Sequence, residues 1–129
     1  MTENNEVRQL ADRATKILEH VPLAAAYEQL AEECTELAKA SLKMARKLRD
    51  ENPTPLSMEQ IDDAVDEEVS DVMLCLMTLD RYAYEHRVAA KLDRWEARTR
   101  SKQDDISSKN PSIKQCFDTA TDTQTSKLM

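Results

Sequence analysis

At 129 residues and a net charge of −7 at neutral pH, the chain has the size of one domain, and its acidity works against nucleic-acid binding, which needs a net basic face. It contains no glycine, which excludes a glycine-rich phosphate loop or a dinucleotide-binding turn, because both bring backbone N–H groups against phosphate through glycine. Any phosphate bound here must be held by side chains and metal.

Helix-forming residues dominate, and the apolar positions recur at helical spacing. Val7, Leu10, Ala11, Ala14, Ile17 and Leu18 predict a first amphipathic helix from about residue 4 to 20, stopped by Pro22. A second runs from about Leu23 to Arg49, with Leu30, Cys34, Leu37, Ser41, Ala45 and Leu48 as its apolar seam. Asn52-Pro53-Thr54-Pro55 ends it, and Ser57 with Gln60 three residues on predicts a capping box for a third helix. Ile61, Val65, Val72, Cys75, Leu76 and Leu79 line one side of that helix. The stripe then changes phase: Val88, Leu92 and Trp95 fall nearly opposite, so a break near Asp80 to Glu85 and a fourth helix to about Arg100 are expected. From Ser101 the sequence is polar without a period, which predicts a disordered tail over 101–129 behind a domain spanning 1–100. The expected fold class is all-α, a bundle of about four helices completed by oligomerisation.

Cys34, Cys75 and Cys116 show no C-x-x-C spacing and leave an odd thiol, which argues against structural zinc and a disulfide framework and for a reducing, cytoplasmic setting. The first residues are polar without a signal-peptide pattern, and no apolar run approaches a membrane span, so no membrane partner is expected.

The chemistry concentrates in two acidic strings, Glu32-Glu33-Cys34-Thr35-Glu36 and Glu68-Val69-Ser70-Asp71. Carboxylates at i and i+3 project from one side of a helix. Glu68 falls inside the arc of Ile61, Val65, Val72 and Leu79, and Asp71 at its margin beside Cys75. On the second helix Glu33 lies beside Leu37 and Met44, with Glu36 further round, while Glu32 and Glu67 point away. A carboxylate within an apolar stripe needs compensation by a basic side chain, a shared proton or a metal. An all-oxygen donor set suits a hard cation, Mg²⁺ first and Mn²⁺ second. A di-iron carboxylate bundle needs Glu-x-x-His, but Ile17 and Ala83 stand three before the two histidines, His20 and His86.

The string Leu30-Ala31-Glu32-Glu33-Cys34-Thr35-Glu36-Leu37-Ala38, followed by Asp66-Glu67-Glu68-Val69-Ser70-Asp71-Val72, resembles the MazG-like all-α nucleoside triphosphate pyrophosphohydrolases, which include dimeric dUTPases and dCTP pyrophosphatases. Their signature is E-E-x-x-E on one helix and E-x-x-D on the next, and the resemblance covers about residues 24–98. It implies Mg²⁺-dependent hydrolysis of a (deoxy)nucleoside triphosphate to monophosphate and pyrophosphate, with a role in removing aberrant or excess nucleotides. It implies Glu33, Glu36, Glu68 and Asp71 as metal ligands, and Glu36, then Glu33, as the base that takes a proton from water. Lys91 and Arg94 resemble the family's K-x-x-R phosphate element. Ala89 stands where relatives often carry Asn, the interval from Asp71 to Lys91 is shorter than in many relatives, and that from Glu36 to Glu68 is on the long side.

Lys91, Arg94 and Arg98, at i, i+3 and i+7, share one helix face that suits a polyphosphate. Lys39, Lys43, Arg46, Lys47 and Arg49 fall largely opposite the second helix's seam and read as solvated surface, and Trp95 reads as core. Four short helices leave apolar surface uncovered, so a homodimer or homotetramer is expected. The alternative function is a non-catalytic helical-bundle module for protein–protein contact, its carboxylates held in salt bridges. A third reading keeps fold and metal but binds nucleotide without cleaving it.

Overall fold

The absence of glycine and the abundance of Ala, Leu, Glu, Lys and Arg leave helix as the structure of lowest backbone cost along most of the chain. The computed structural model describes residues 3–51 and 55–109, and among these there are four α-helices and no strand. They are α1 (Glu3–Thr15), α2 (Leu23–Leu48), α3 (Met58–Thr78) and α4 (Glu85–Lys109), with a 3-10 turn at Lys16–Glu19 after α1. The chain divides between Tyr82 and Ala83 into two units, the first holding α1 to α3 and the second α4. No described helix is long and apolar enough to cross a membrane.

The helix boundaries follow local chemistry. The first predicted helix tightens into the 3-10 turn ahead of Pro22, which disfavours α geometry in the residue before it. The Ser57 Oγ accepts from the Gln60 N–H at 3.1 Å and the Gln60 Oε1 accepts from the Ser57 N–H at 2.9 Å, the predicted capping box. Ser57→Ala is therefore expected to cost about 1 kcal/mol, read as a lower urea midpoint at unchanged slope. The Asn52-Pro53-Thr54 part of the predicted stop lies outside the described residues.

Both α2 and α3 end in Schellman motifs built without glycine. At the end of α2 the Glu51 N–H reaches the Arg46 carbonyl at 3.0 Å and the Asp50 N–H that of Lys47 at 3.2 Å. At the end of α3 the Arg81 N–H reaches Leu76 at 2.8 Å and the Asp80 N–H reaches Met77 at 3.1 Å. Asp50 and Asp80 hold φ of 55° and 52°, the left-handed region in which aspartate is among the better tolerated non-glycine residues. Asp80 thus fixes the predicted break, and α4 begins at Glu85 as expected.

Within the first unit α3 is central, packing against both α2 and α1. The buried side chains are small: Ala14, Ala26, Ala40 and Thr78, with Leu79 and Ile61. Alanines at the crossings let helix axes approach closely. Ile61, 1% exposed, is the one large side chain fully buried among the described residues. The Arg81 guanidinium donates to the Tyr27 hydroxyl from Nε at 3.1 Å and Nη2 at 2.6 Å, tying the start of α2 to the end of α3. Between α1 and α3 lies an open apolar groove of about 670 Å³, lined by Leu10, Ile17, Val69, Met73, Leu74 and Met77.

Two expectations change. The apolar seam of α2 is rotated: Ala26 and Ala40 are buried and Leu30, Glu33, Leu37 and Met44 half-buried, whereas Cys34, Ser41 and Leu48 are exposed. And α4 continues through Ser101 to Lys109 rather than ending near Arg100. There the hydroxyls of Thr99, Ser101 and Ser108 donate to carbonyls three or four residues back, so a segment without apolar period still satisfies its polar groups as helix. Residues 110–129, including Cys116, lie outside those described. Nothing on α4 is buried, and Trp95, expected in the core, is 64% exposed.

Candidate metal centre

The antiparallel α2–α3 hairpin sets the site. Glu33 occupies the middle of the observed seam of α2, on the arc of Ala26, Leu30, Leu37 and Ala40. Glu68 occupies the middle of the facing stripe of α3, on the arc of Ile61, Val72 and Leu79. Packing the two stripes together therefore brings the two carboxylates face to face, and Asp71, one turn on from Glu68, joins them. Ligand oxygens of Glu33, Glu68 and Asp71 all lie within 4.8 Å of one another, and all three residues are half-buried.

This concentration of negative charge acts on its own members. Partial burial, then the charges of Asp71, Glu36, Glu33 and Glu67, raise Glu68 above the ordinary glutamate range. Partial burial, then Glu33, Asp71 and Cys34, raise the neighbouring Cys75 thiol, which favours its protonated form. Among the described residues of the first unit, no Lys or Arg forms an ion pair with Glu33, Glu68 or Asp71. The Gln29 side-chain amide donates to Glu33 Oε1 and orients it.

The donor set fits a hard divalent cation. All three groups are carboxylates, their spread matches the roughly 4–5 Å between opposing oxygens around such an ion, and the charge that destabilises the cluster is what the ion would neutralise. Of the four metal ligands implied by the sequence resemblance, these three converge. Glu36 stands apart: it is exposed, and its Oε1 accepts from Lys39 Nζ at 2.7 Å, though it remains close enough to raise Glu68. Glu32 is exposed, as its position on the helical wheel requires.

Lys91, Arg94 and Arg98 are exposed residues of α4 and belong to the second unit. Arg98 lines a shallow pocket there with Trp95, Thr99 and Lys102. Lys39 and Lys43 are well exposed, as expected of solvated surface, and they also line a cavity of about 160 Å³ together with Glu36, Ile61, Ala64 and Glu68. The i, i+4 spacing of these lysines was legible; the rotation of the seam that brings them to the hairpin's edge was not. Cys34, expected in the apolar seam of α2, is exposed, while Cys75 is half-buried.

No protein-family model, curated protein or solved structure matches the chain.

Proposed function

We propose that this protein is a Mg²⁺-dependent nucleotide pyrophosphohydrolase, converting a (deoxy)nucleoside triphosphate to monophosphate and pyrophosphate. The observation that carries the reading is the convergence of Glu33, Glu68 and Asp71 with no ion pair to a basic side chain among the described residues of their unit. Glu33, Glu68 and Asp71 are the residues that would hold the ion. When bound, Mg²⁺ supplies charge neutralisation at phosphate and lowers the pKa of water. In the reaction a water oxygen joins the α-phosphorus, the bond from that phosphorus to the α–β bridging oxygen breaks, and pyrophosphate leaves.

The proton released by water goes to a carboxylate. Glu36 suits that role because it lies beside the cluster without being one of its three converging members; Glu33 is the second choice. The resemblance offers Lys91, Arg94 and Arg98 as cationic groups for a polyphosphate. The working assembly is a homodimer or homotetramer, in which the α1–α3 groove and the exposed Val88, Leu92 and Trp95 of α4 are the apolar surfaces available for burial.

The test is ³¹P NMR with Mg²⁺ and a mixed panel of ribo- and deoxyribonucleoside triphosphates. Monophosphate and pyrophosphate in equal amounts are expected, and no turnover of any nucleotide would sink the enzyme reading. The uncovered apolar groove favours one second reading, a non-catalytic module that docks a protein partner. That module would be indifferent to Mg²⁺ in a melting experiment, whereas a metal-holding cluster gains stability from it.

A further inference from the structure

Along α2 the charge changes sign with a regular step. Glu33 and Glu36 stand toward its N-terminal half, and Lys39 and Lys43 follow in the direction of the α2–α3 connection. At 1.5 Å per residue, Lys43 lies about 10 Å beyond Glu36 along the helix axis. In the antiparallel hairpin α3 runs the other way, so Glu68 meets the acidic stretch and Ala64 and Ile61 meet the basic one. The cavity lined by Glu36, Lys39, Lys43, Ile61, Ala64 and Glu68 joins the two stretches: its α3 wall shares Glu68 with the three-carboxylate cluster, and its α2 wall is formed by Glu36, Ala40 and the two lysines.

We infer that Lys39 and Lys43 form the cationic half of this site and hold the pyrophosphate portion of the substrate, and of the departing product, inside that cavity. This rests on the reading of Glu33, Glu68 and Asp71 as the metal site. The carboxylates would hold the cation that neutralises one part of a polyphosphate, and Lys39 and Lys43 offer positive charge for the part left over. Ala40 and Ala64 keep the floor of the cavity small, which leaves room for a phosphate between the helices. Lys39 already pairs with Glu36 at 2.7 Å, so anion binding would draw its ammonium away and release Glu36 to act on water. Lys43 forms no ion pair among the described residues and meets the anion directly.

The experiment titrates the full chain with inorganic pyrophosphate at saturating Mg²⁺ in a calorimeter, with melting in Mg²⁺ alone measured in parallel. The variants are Lys39→Ala/Lys43→Ala, Lys39→Arg/Lys43→Arg and Lys91→Ala/Arg94→Ala. The double alanine variant is expected to weaken pyrophosphate binding about tenfold or more while keeping its Mg²⁺-induced rise in melting temperature, and the double arginine variant to stay within roughly threefold of wild type. Both lysines are exposed, so neither substitution threatens folding. Pyrophosphate affinity within about twofold of wild type in the double alanine variant, with the Mg²⁺ response intact, overturns the lysine assignment alone. If the loss falls only on Lys91→Ala/Arg94→Ala, the cationic half belongs to α4. A wild-type chain that Mg²⁺ does not stabilise overturns the metal reading and this inference together.

Discussion

With Glu68 replaced by glutamine, the protein is expected to melt higher than wild type in metal-free buffer at neutral pH, to gain nothing from Mg²⁺, and to lose nucleotide hydrolysis by at least about a hundredfold. The three effects have one cause. Glu68 stands at the centre of an apolar stripe and among four acidic neighbours, so its ionised form is disfavoured in the folded state. The folded chain therefore binds this proton more tightly than the unfolded chain does. Between the ordinary glutamate value and the raised folded one, the folded state carries more bound proton, so stability falls as pH rises through that window. Above it the destabilisation is complete, and below the ordinary value it vanishes. Glutamine removes the charge at similar shape, so its advantage should appear at neutral pH and fade in acid.

On the proposed metal reading, Mg²⁺ should reverse the order. A cation at a hundredfold excess over its dissociation constant stabilises the form that binds it by about 2.7 kcal/mol, which is several degrees for a domain of this size. Wild type should collect that gain and Glu68→Gln should not, so their melting curves exchange places when metal is added. Differential scanning calorimetry at neutral and acid pH, with Mg²⁺ or with chelator, reads every arm. A variant that melts below wild type in chelator would mean that Glu68 is held by a favourable partner, and the salt-bridged bundle would become the working description.

The helices themselves were legible because their boundaries are written in strong local signals: Pro22, the Ser57 and Gln60 pair, and the change of phase after Leu79. The acidic pairs were legible because the i, i+3 spacing and the position of Glu68 within its stripe survive any small error in the wheel. The seam of α2 was misplaced by roughly 70° at 100° per residue, because large apolar residues such as Leu48 weigh most in a sequence pattern. The structure instead packs through Ala26 and Ala40, which carry almost no hydrophobic signal, and leaves Leu48 in solvent. That rotation explains two further differences together. It moves Glu33 from the flank of the seam to its centre, and it carries Lys39 and Lys43 from the far surface to the cavity's rim. The end of α4 escaped for the opposite reason: a helix polar on all sides has no period to detect.

The largest loss of stability should come from Ile61→Ala. With three alanines among the six buried residues described, Ile61, on the face of α3 toward α2, is the large apolar side chain most completely buried among the described residues. Truncating such a residue removes its transfer free energy and leaves a cavity, together about 2–5 kcal/mol. A domain of this size has about 5–15 kcal/mol in all, so the variant should unfold at a markedly lower urea concentration, with the slope of the transition unchanged. Ile61→Val, which keeps the branched shape, should cost only about 0.5–1.5 kcal/mol. The same side chain forms part of the wall of the lysine cavity, and the stripe that holds it also holds Glu68 two turns away. Ile61→Ala at low temperature, where it remains folded, should therefore also show a smaller Mg²⁺-induced rise in melting temperature than Ile61→Val, because the spacing of α2 and α3 sets how closely Glu33 meets Glu68 and Asp71. A cost for Ile61→Ala below about 1 kcal/mol would place the stabilising core elsewhere, in the apolar faces that a second copy of the chain would bury.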